Sequence, residues 1–217
     1  MTHKKGGITT ISFDSDGTLV TQAFADLVWH EALPQQVAES WGIPIEEAKK
    51  KLFADYESIG SQRMEWYDLA YWIKRYRLDL NPKTFVLQYK DAVTPFPEVT
   101  EVLDDLKDEY SLIVISNSAR LFLDVTMSCF KDCFLRTFST VSDFGTMKDV
   151  ESYRHVCDIM GIMPRQVAHI GDSFELDYVR ARKAGIRAFF LDRQHRRRMR
   201  GRNFVADLKE FRSRIRR

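Results

Sequence analysis

Short runs of apolar and β-branched residues recur along the chain, each closed by a polar turn: residues 8–13, 112–115, 137–141, 167–170 and 188–191. Runs of this length, bounded by turn formers, read as strands buried on both faces. Between the later ones, over 152–160 and 176–184, the apolar positions take the spacing of an amphipathic helix. Strands alternating with helices predict an α/β fold: a Rossmann-like parallel sheet wrapped by helices. Ligands of such sheets bind outside the carboxyl ends of the strands, so the pattern locates the chemistry before any motif is considered.

Residues 19–95 break this rhythm. They hold no convincing strand, and their pattern is helical in several pieces punctuated by Pro34, Gly42, Pro44, Gly60 and Pro82. Pro44 followed by Ile45, Glu46 and Glu47 reads as a helix start with acids in its first turn. The expected organisation is an α/β core domain of residues 1–18 and 96–217 and a small α-helical domain of 19–95, with 94–97 as the hinge. All four tryptophans (Trp29, Trp41, Trp66 and Trp72) fall in the helical segment. Trp66, Tyr67, Tyr71 and Trp72 have helical spacing and are expected to form that segment's own core rather than a ligand cage.

With 44% hydrophobic and 12% aromatic residues the chain has ample material for a core. Lys plus Arg number 33 against 31 for Asp plus Glu, and the resulting net charge of +2 does not point to a general nucleic-acid binder. The Arg-rich stretches 193–202 and 212–217 read as a solvated loop and tail, since no aromatic residues interleave with them. No run approaches the about 18 apolar residues of a membrane span, and residues 1–7 lack the apolar stretch of a secretory signal. Cys129, Cys133 and Cys157 are an odd number without a CxxC or a neighbouring His. They are expected to be packing thiols in a reducing, cytoplasmic setting.

Four elements carry chemistry. Asp14 and Asp16 close the first strand in Asp14-Ser-Asp-Gly-Thr18, two residues apart and therefore on one side of the chain. Two carboxylates that close stay ionised only with a cation or a shared proton. Gly17 lets the chain turn sharply. Ser116 and Asn117 end the second strand, where a hydroxyl and backbone N–H groups can hold phosphate oxygens. Lys148 lies in a loop after the third. Gly171-Asp172 ends the fourth, with Asp177 five residues beyond Asp172.

In this order, each after an apolar strand, these motifs resemble the four-motif signature of the haloacid dehalogenase-like hydrolases, over about residues 8–193. The helical segment resembles the cap that part of this family inserts after its first motif. The resemblance implies a phosphatase: Asp14 attacks phosphorus and forms an aspartyl-phosphate, and Asp16 serves as general acid and base. Ser116, Asn117 and Lys148 bind the phosphate. It implies Mg2+ held by Asp14, the backbone carbonyl of Asp16 and Asp172, with Asp177 orienting the site from behind. The family's dehalogenases lack an acid two residues after the nucleophile, so Asp16 favours phosphoryl transfer.

A small phosphorylated metabolite is the expected partner, because a closing cap disfavours bulky targets. Neither membrane nor nucleic acid is expected as a partner, and the oligomeric state is not specified. His30 and Arg63 are read as surface residues. A sugar phosphomutase and a non-catalytic regulator on the same fold are the alternatives. In the family a proline commonly follows the lysine of the third motif. Here Asp149 does, and it is expected to loosen the loop and compete for the ammonium.

Overall fold

The computed structural model describes residues 7–130, 132–194 and 201–216. Six strands, all parallel, form one sheet in the order β3-β2-β1-β4-β5-β6. They are β1 (Thr10–Phe13), β2 (Ser111–Ser116), β3 (Arg136–Ser139), β4 (Val167–Gly171), β5 (Arg187–Leu191) and β6 (Phe204–Val205). All four residues of β1 and all five of β4 are buried, as the unbroken apolar patterns require of strands covered on both faces. From β1 the chain winds outward through β2 to β3, then returns to lay β4 on the other side of β1. The strand order therefore switches direction at β1, and the crevice at such a point is where α/β sheets bind ligands.

The strand expected over 137–141 ends at Ser139, whose hydroxyl accepts a hydrogen bond from the Ser142 N–H and starts the short helix α8 (Thr140–Asp143). The helix expected over 176–184 instead opens as a π-helical segment, Phe174–Arg180, before tightening into α10 (Ala181–Lys183).

Between β1 and β2 the structure is helical, apart from a bridge at Val20. One continuous stretch runs through α1 (Ala23–Asp26), a π-helical segment (Leu27–Ala32) and α2 (Leu33–Trp41). Then come α3 (Ile45–Ile59), a 3₁₀ turn (Met64–Tyr67), α4 (Leu69–Arg75) and α5 (Pro82–Leu87). Pro44 does stand before α3, with Glu46 and Glu47 in its first turn. Trp72 is fully buried, edge-on to Tyr56 at 4.5 Å and to Tyr71 at 5.3 Å. These three rings form the interior of the segment. Trp66, half-buried like Tyr71, packs against this core on Tyr56 at 5.9 Å and also lines a cavity, which half-buried Tyr67 lines with it.

On the sheet side, α6 (Val99–Lys107), α7 (Arg120–Met127), α9 (Val150–Met160) and α11 (Leu208–Ile215) supply the covering helices. The tail arginines within the described residues are engaged with carboxylates. Arg212 pairs with Glu101 and Asp105, and Arg216 with Glu109. Residues 195–200 of the basic stretch lie outside the described residues. Cys157 is buried as expected and half-buried Cys133 packs against the core, but Cys129, in the short turn Ser128–Phe130, is exposed. No described helix is long and apolar enough to cross a membrane.

Candidate active site

The carboxyl ends of β1, β2 and β4 converge with the loop before α9 on a cavity of about 430 Å3. Its sheet-side wall is built from Asp14, Asp16, Ser116, Asn117, Lys148 and Asp172. Six of the seven residues singled out from the sequence therefore share one cavity, and the seventh, Asp177, lies just behind it.

The floor is a buried charge cluster. The Lys148 ammonium donates to Asp14 Oδ1 at 2.6 Å and to Asp177 Oδ1 at 2.5 Å, with all three side chains at most 9% exposed. Asp177 also accepts from the Ser173 N–H through Oδ2 at 2.9 Å and lies 3.1 Å from His169 Nε2. Burial alone would raise this carboxyl, but Lys148 and His169 outweigh it and hold Asp177 well below the usual carboxylate range. Burial acts to lower Lys148, yet Asp14 and Asp177 together hold its ammonium above the ordinary lysine range. Asp14 has fewer donors. Burial pushes it up, Lys148 pulls against that, and the Asp177 charge adds to the push.

Asp16 faces the same cavity and is pushed up to about 7, by burial first and then by the charge of Asp14, with a hydrogen bond to Ser118 opposing. Asp172 is likewise pushed up to about 7, by the protein packed around it and by Asp14 and Asp177. Asp172 nevertheless keeps an open face on the solvent side.

Two glycines make this crowding possible. Gly17 has φ +78°, and a Cβ on it would meet the Asp172 carboxylate at 2.3 Å. A Cβ on Gly171 would come within 2.3 Å of Asp177 Cγ. Among the described residues Asp14, Asp172 and Asp177 can each present an oxygen within 4.8 Å of the others. This all-oxygen donor set, with one lysine against four acids and a glycine cradle under Asp172, fits a hard divalent cation such as Mg2+. Since Asp177 already accepts several hydrogen bonds, Asp14 and Asp172 are the carboxylates left to hold it.

Asn117 has a second task. Its Oδ1 accepts from the Lys148 backbone N–H at 2.7 Å and from the Thr140 hydroxyl at 2.8 Å, fastening the lysine loop to the end of β2. The Ser116 hydroxyl oxygen accepts from the Ser118 N–H at 3.1 Å. Arg180 donates to the Lys148 carbonyl at 3.0 Å. Asp149 does not compete for the ammonium as expected. It is the N-cap of α9, accepting from the Ser152 N–H at 2.7 Å while Ser152 Oγ accepts from its own N–H. The capping box turns this acid away from Lys148 and stiffens the loop that a proline would otherwise stiffen.

Sequence reasoning missed the support behind Asp177. His169, fully buried, joins Ser12 Oγ at 2.6 Å through Nδ1 and Tyr153 OH at 3.0 Å through Nε2. Ser12 and His169 are register partners on adjacent strands. A histidine in the middle of an apolar strand was the available signal.

The opposite wall belongs to the helical segment and α7: Trp29, Tyr56, Trp66, Tyr67 and Phe122, with Gln22, Asp26 and His30 along the first helical stretch. Trp29 stacks on Phe122 at 5.3 Å, 9° from parallel. Burial raises the Tyr67 hydroxyl, and the Lys148 ammonium is near enough to pull against it. His30 is exposed as expected, 3.4 Å from Asp26, but also lines the cavity, while Arg63 does not and pairs with Glu65 in solvent.

The sequence model of the haloacid dehalogenase-like hydrolases matches residues 8–185, which include every motif in this geometry. This chain is a haloacid dehalogenase-like hydrolase. The GMP/IMP nucleotidase YrfG of Escherichia coli (strain K12) is 24% identical to it over 172 residues, spanning 76% of this chain and 75% of that one. The structure of a phosphatase of the family from Thermococcus onnurineus is similar over 95% of this chain and 97% of that one, with TM-score 0.81 and 21% identity. The magnesium-bound structure of the hydrolase YfnB from Bacillus subtilis is similar over 97% of this chain and all of that one, with TM-score 0.67 and 16% identity. As a member of this family, the haloacid dehalogenase-like hydrolase described here carries its four motifs on adjacent strand ends and loops around one cavity.

Proposed function

We propose that this hydrolase is a magnesium-dependent phosphatase of small phosphate monoesters, acting through an aspartyl-phosphate on Asp14. The observation that carries this reading is the pairing of Asp14 with Asp16. One carboxylate is ion-paired with a buried lysine, and the other, two residues on in the same cavity, is held near neutrality between its protonated and ionised forms. Hydrolysis of an ester through a carboxylate needs a nucleophile and then a proton for the leaving alcohol.

In this reading the Lys148 ammonium fixes the Asp14 carboxylate for attack on phosphorus. It also faces the oxygens on which charge accumulates. Asp16 gives its proton to the alkoxide as the ester bond breaks. The resulting carboxylate then takes a proton from the water that attacks the aspartyl-phosphate, returning Asp14 and inorganic phosphate. Ser116 and Asn117 would hold the non-transferred oxygens. Asp14, the Asp16 carbonyl and Asp172 would hold magnesium, which when bound supplies positive charge against the acids and the incoming phosphate. The helical segment forms the opposite wall of the cavity, and its closing over a bound ester would exclude water. The E. coli relative, by its name, acts on GMP and IMP, which keeps nucleotides among the candidate monoesters.

Purified protein is expected to hydrolyse p-nitrophenyl phosphate with magnesium and to lose this on chelation. Asp14→Asn should abolish turnover while the circular dichroism spectrum stays native. Undiminished turnover in that variant would sink the mechanism.

A further inference from the structure

The cavity extends well beyond what a phosphate fills, and its two ends differ sharply in chemistry. Among the described residues lining it Lys148 is the one lysine or arginine, and that ammonium is already shared between Asp14 and Asp177. Among the described residues the far end offers no lysine or arginine to a second anionic group. It carries the Asp26 carboxylate instead, 3.4 Å from His30 Nδ1 at the open rim, and this acid opposes a second anion. A leaving group with a second phosphate or a carboxylate would meet that acid with no lysine or arginine among the described residues to offset it.

What the far end offers is aromatic surface. Trp29, Trp66 and Tyr67 come from the helical segment, and the ring of Phe122 backs Trp29 from the sheet side. Trp66 and Tyr67 are only half-buried, whereas the neighbouring Trp72 is fully enclosed, so their remaining faces are open where Trp72 has none. Gln22, Asp26 and His30 recur every four residues along the first helical stretch. This spacing sets an amide, a carboxylate and an imidazole in a row. The cavity thus pairs flat faces for stacking with a line of hydrogen-bonding groups for an edge. An uncharged heterocycle with polar atoms around its rim satisfies both, and a volume of about 430 Å3 accommodates one joined to a pentose.

We infer that the leaving group is an uncharged alcohol bearing an aromatic heterocycle, namely a nucleoside, so that the substrate is a nucleoside 5′-monophosphate whose base stacks on Trp66 and Tyr67 and presents its edge to Asp26. This rests on the phosphatase reading for the chemistry but not for the binding, and the two can be tested apart.

Binding is read first, with the intact protein and the unphosphorylated nucleosides guanosine and inosine, by quenching of tryptophan fluorescence against ribose as control. Both nucleosides should quench saturably and ribose should not. Tyr67→Ala, which retains all four tryptophans, should weaken the nucleosides roughly tenfold, as loss of one stacking face does. Phosphate release is then compared among nucleoside 5′-monophosphates, glucose 6-phosphate, fructose 1,6-bisphosphate and acetyl phosphate. The ratio of kcat/KM for nucleotide over acetyl phosphate should fall roughly tenfold in Trp66→Ala. The inference is overturned if ribose and nucleosides behave alike, if a sugar mono- or bisphosphate is turned over as well as the nucleotides, or if Trp66→Ala lowers both substrates equally. Nucleoside binding without phosphate release from any ester would leave the base-binding site standing and remove the phosphatase reading together with the substrate assignment that rests on it.

Discussion

Gly171 has no room for even a methyl group, because the neighbouring Asp177 carboxyl is locked by Lys148, His169 and the Ser173 N–H and cannot yield. Gly171→Ala is therefore expected to cost about 1–3 kcal/mol in urea denaturation, the range of overpacked cores, and to lower kcat with it. Asp16 supplies a sharper chemical test. Asp16→Asn should reduce kcat by about 10²–10⁴ for an alkyl phosphate, whose alkoxide needs a proton. It should do so much less for p-nitrophenyl phosphate, whose phenolate leaves unaided. Equal losses on the two substrates would remove Asp16 from the role of acid. Asp14, Asp16 and Asp172 were legible in the sequence because each is a polar residue at the end of an apolar strand, a position the pattern itself marks. His169 was not, since a lone polar residue inside a strand acquires its meaning only from Ser12 and Tyr153 across the sheet.

At the scale of elements, the loop carrying Lys148 shows how local chemistry decides a catalytic position. Asp149 caps α9 and anchors the loop's downstream end, while Asn117 and Arg180 hold its backbone from two other elements. Asp149→Ala should cost about 1 kcal/mol, as the loss of an N-cap does, with a fall in kcat larger than that figure implies because Lys148 loses its placement. A kcat unchanged within error would show that the cap serves stability alone. The expectation that this acid competes for the ammonium failed because the sequence displays the neighbour of Lys148 but not the direction of its carboxylate. The two π-helical segments were equally illegible. Leu27–Ala32 carries Trp29 and His30 to the cavity, and Phe174–Arg180 carries Asp177 behind it. Such wide turns recur at functional sites, yet the apolar spacing over 176–184 reads as an ordinary helix.

For the whole molecule, the acids at the centre make stability depend on pH in a direction that can be worked out. Asp16 and Asp172, both pushed up to about 7 from an ordinary 3.8, bind protons more tightly in the folded chain than in the unfolded one. Their contribution is complete below about 4 and is lost as pH rises through 7. Asp177 has the opposite sign, but its window lies below 3.8 and does not overlap. In the presence of a chelator the melting temperature should fall between pH 5 and pH 8, and magnesium should restore more of it at pH 8 than at pH 5. Thermal melts with and without the ion test this, and a chelated protein equally stable across that range would contradict the arrangement of acids. By itself the sequence determined that this is a parallel α/β protein with a helical segment after the first strand, and which side chains stand at its strand ends. Hydrophobic period and turn chemistry are local and survive being read along a line. The tertiary structure alone decided that Asp14 and Asp177 share one ammonium and that Asn117 and His169 hold that cluster in place. It also decided that Trp66 and Tyr67 face the cavity while Trp72 fills the core. Each is a contact between residues far apart in the chain, and burial, which sets its strength, exists only once the chain has folded.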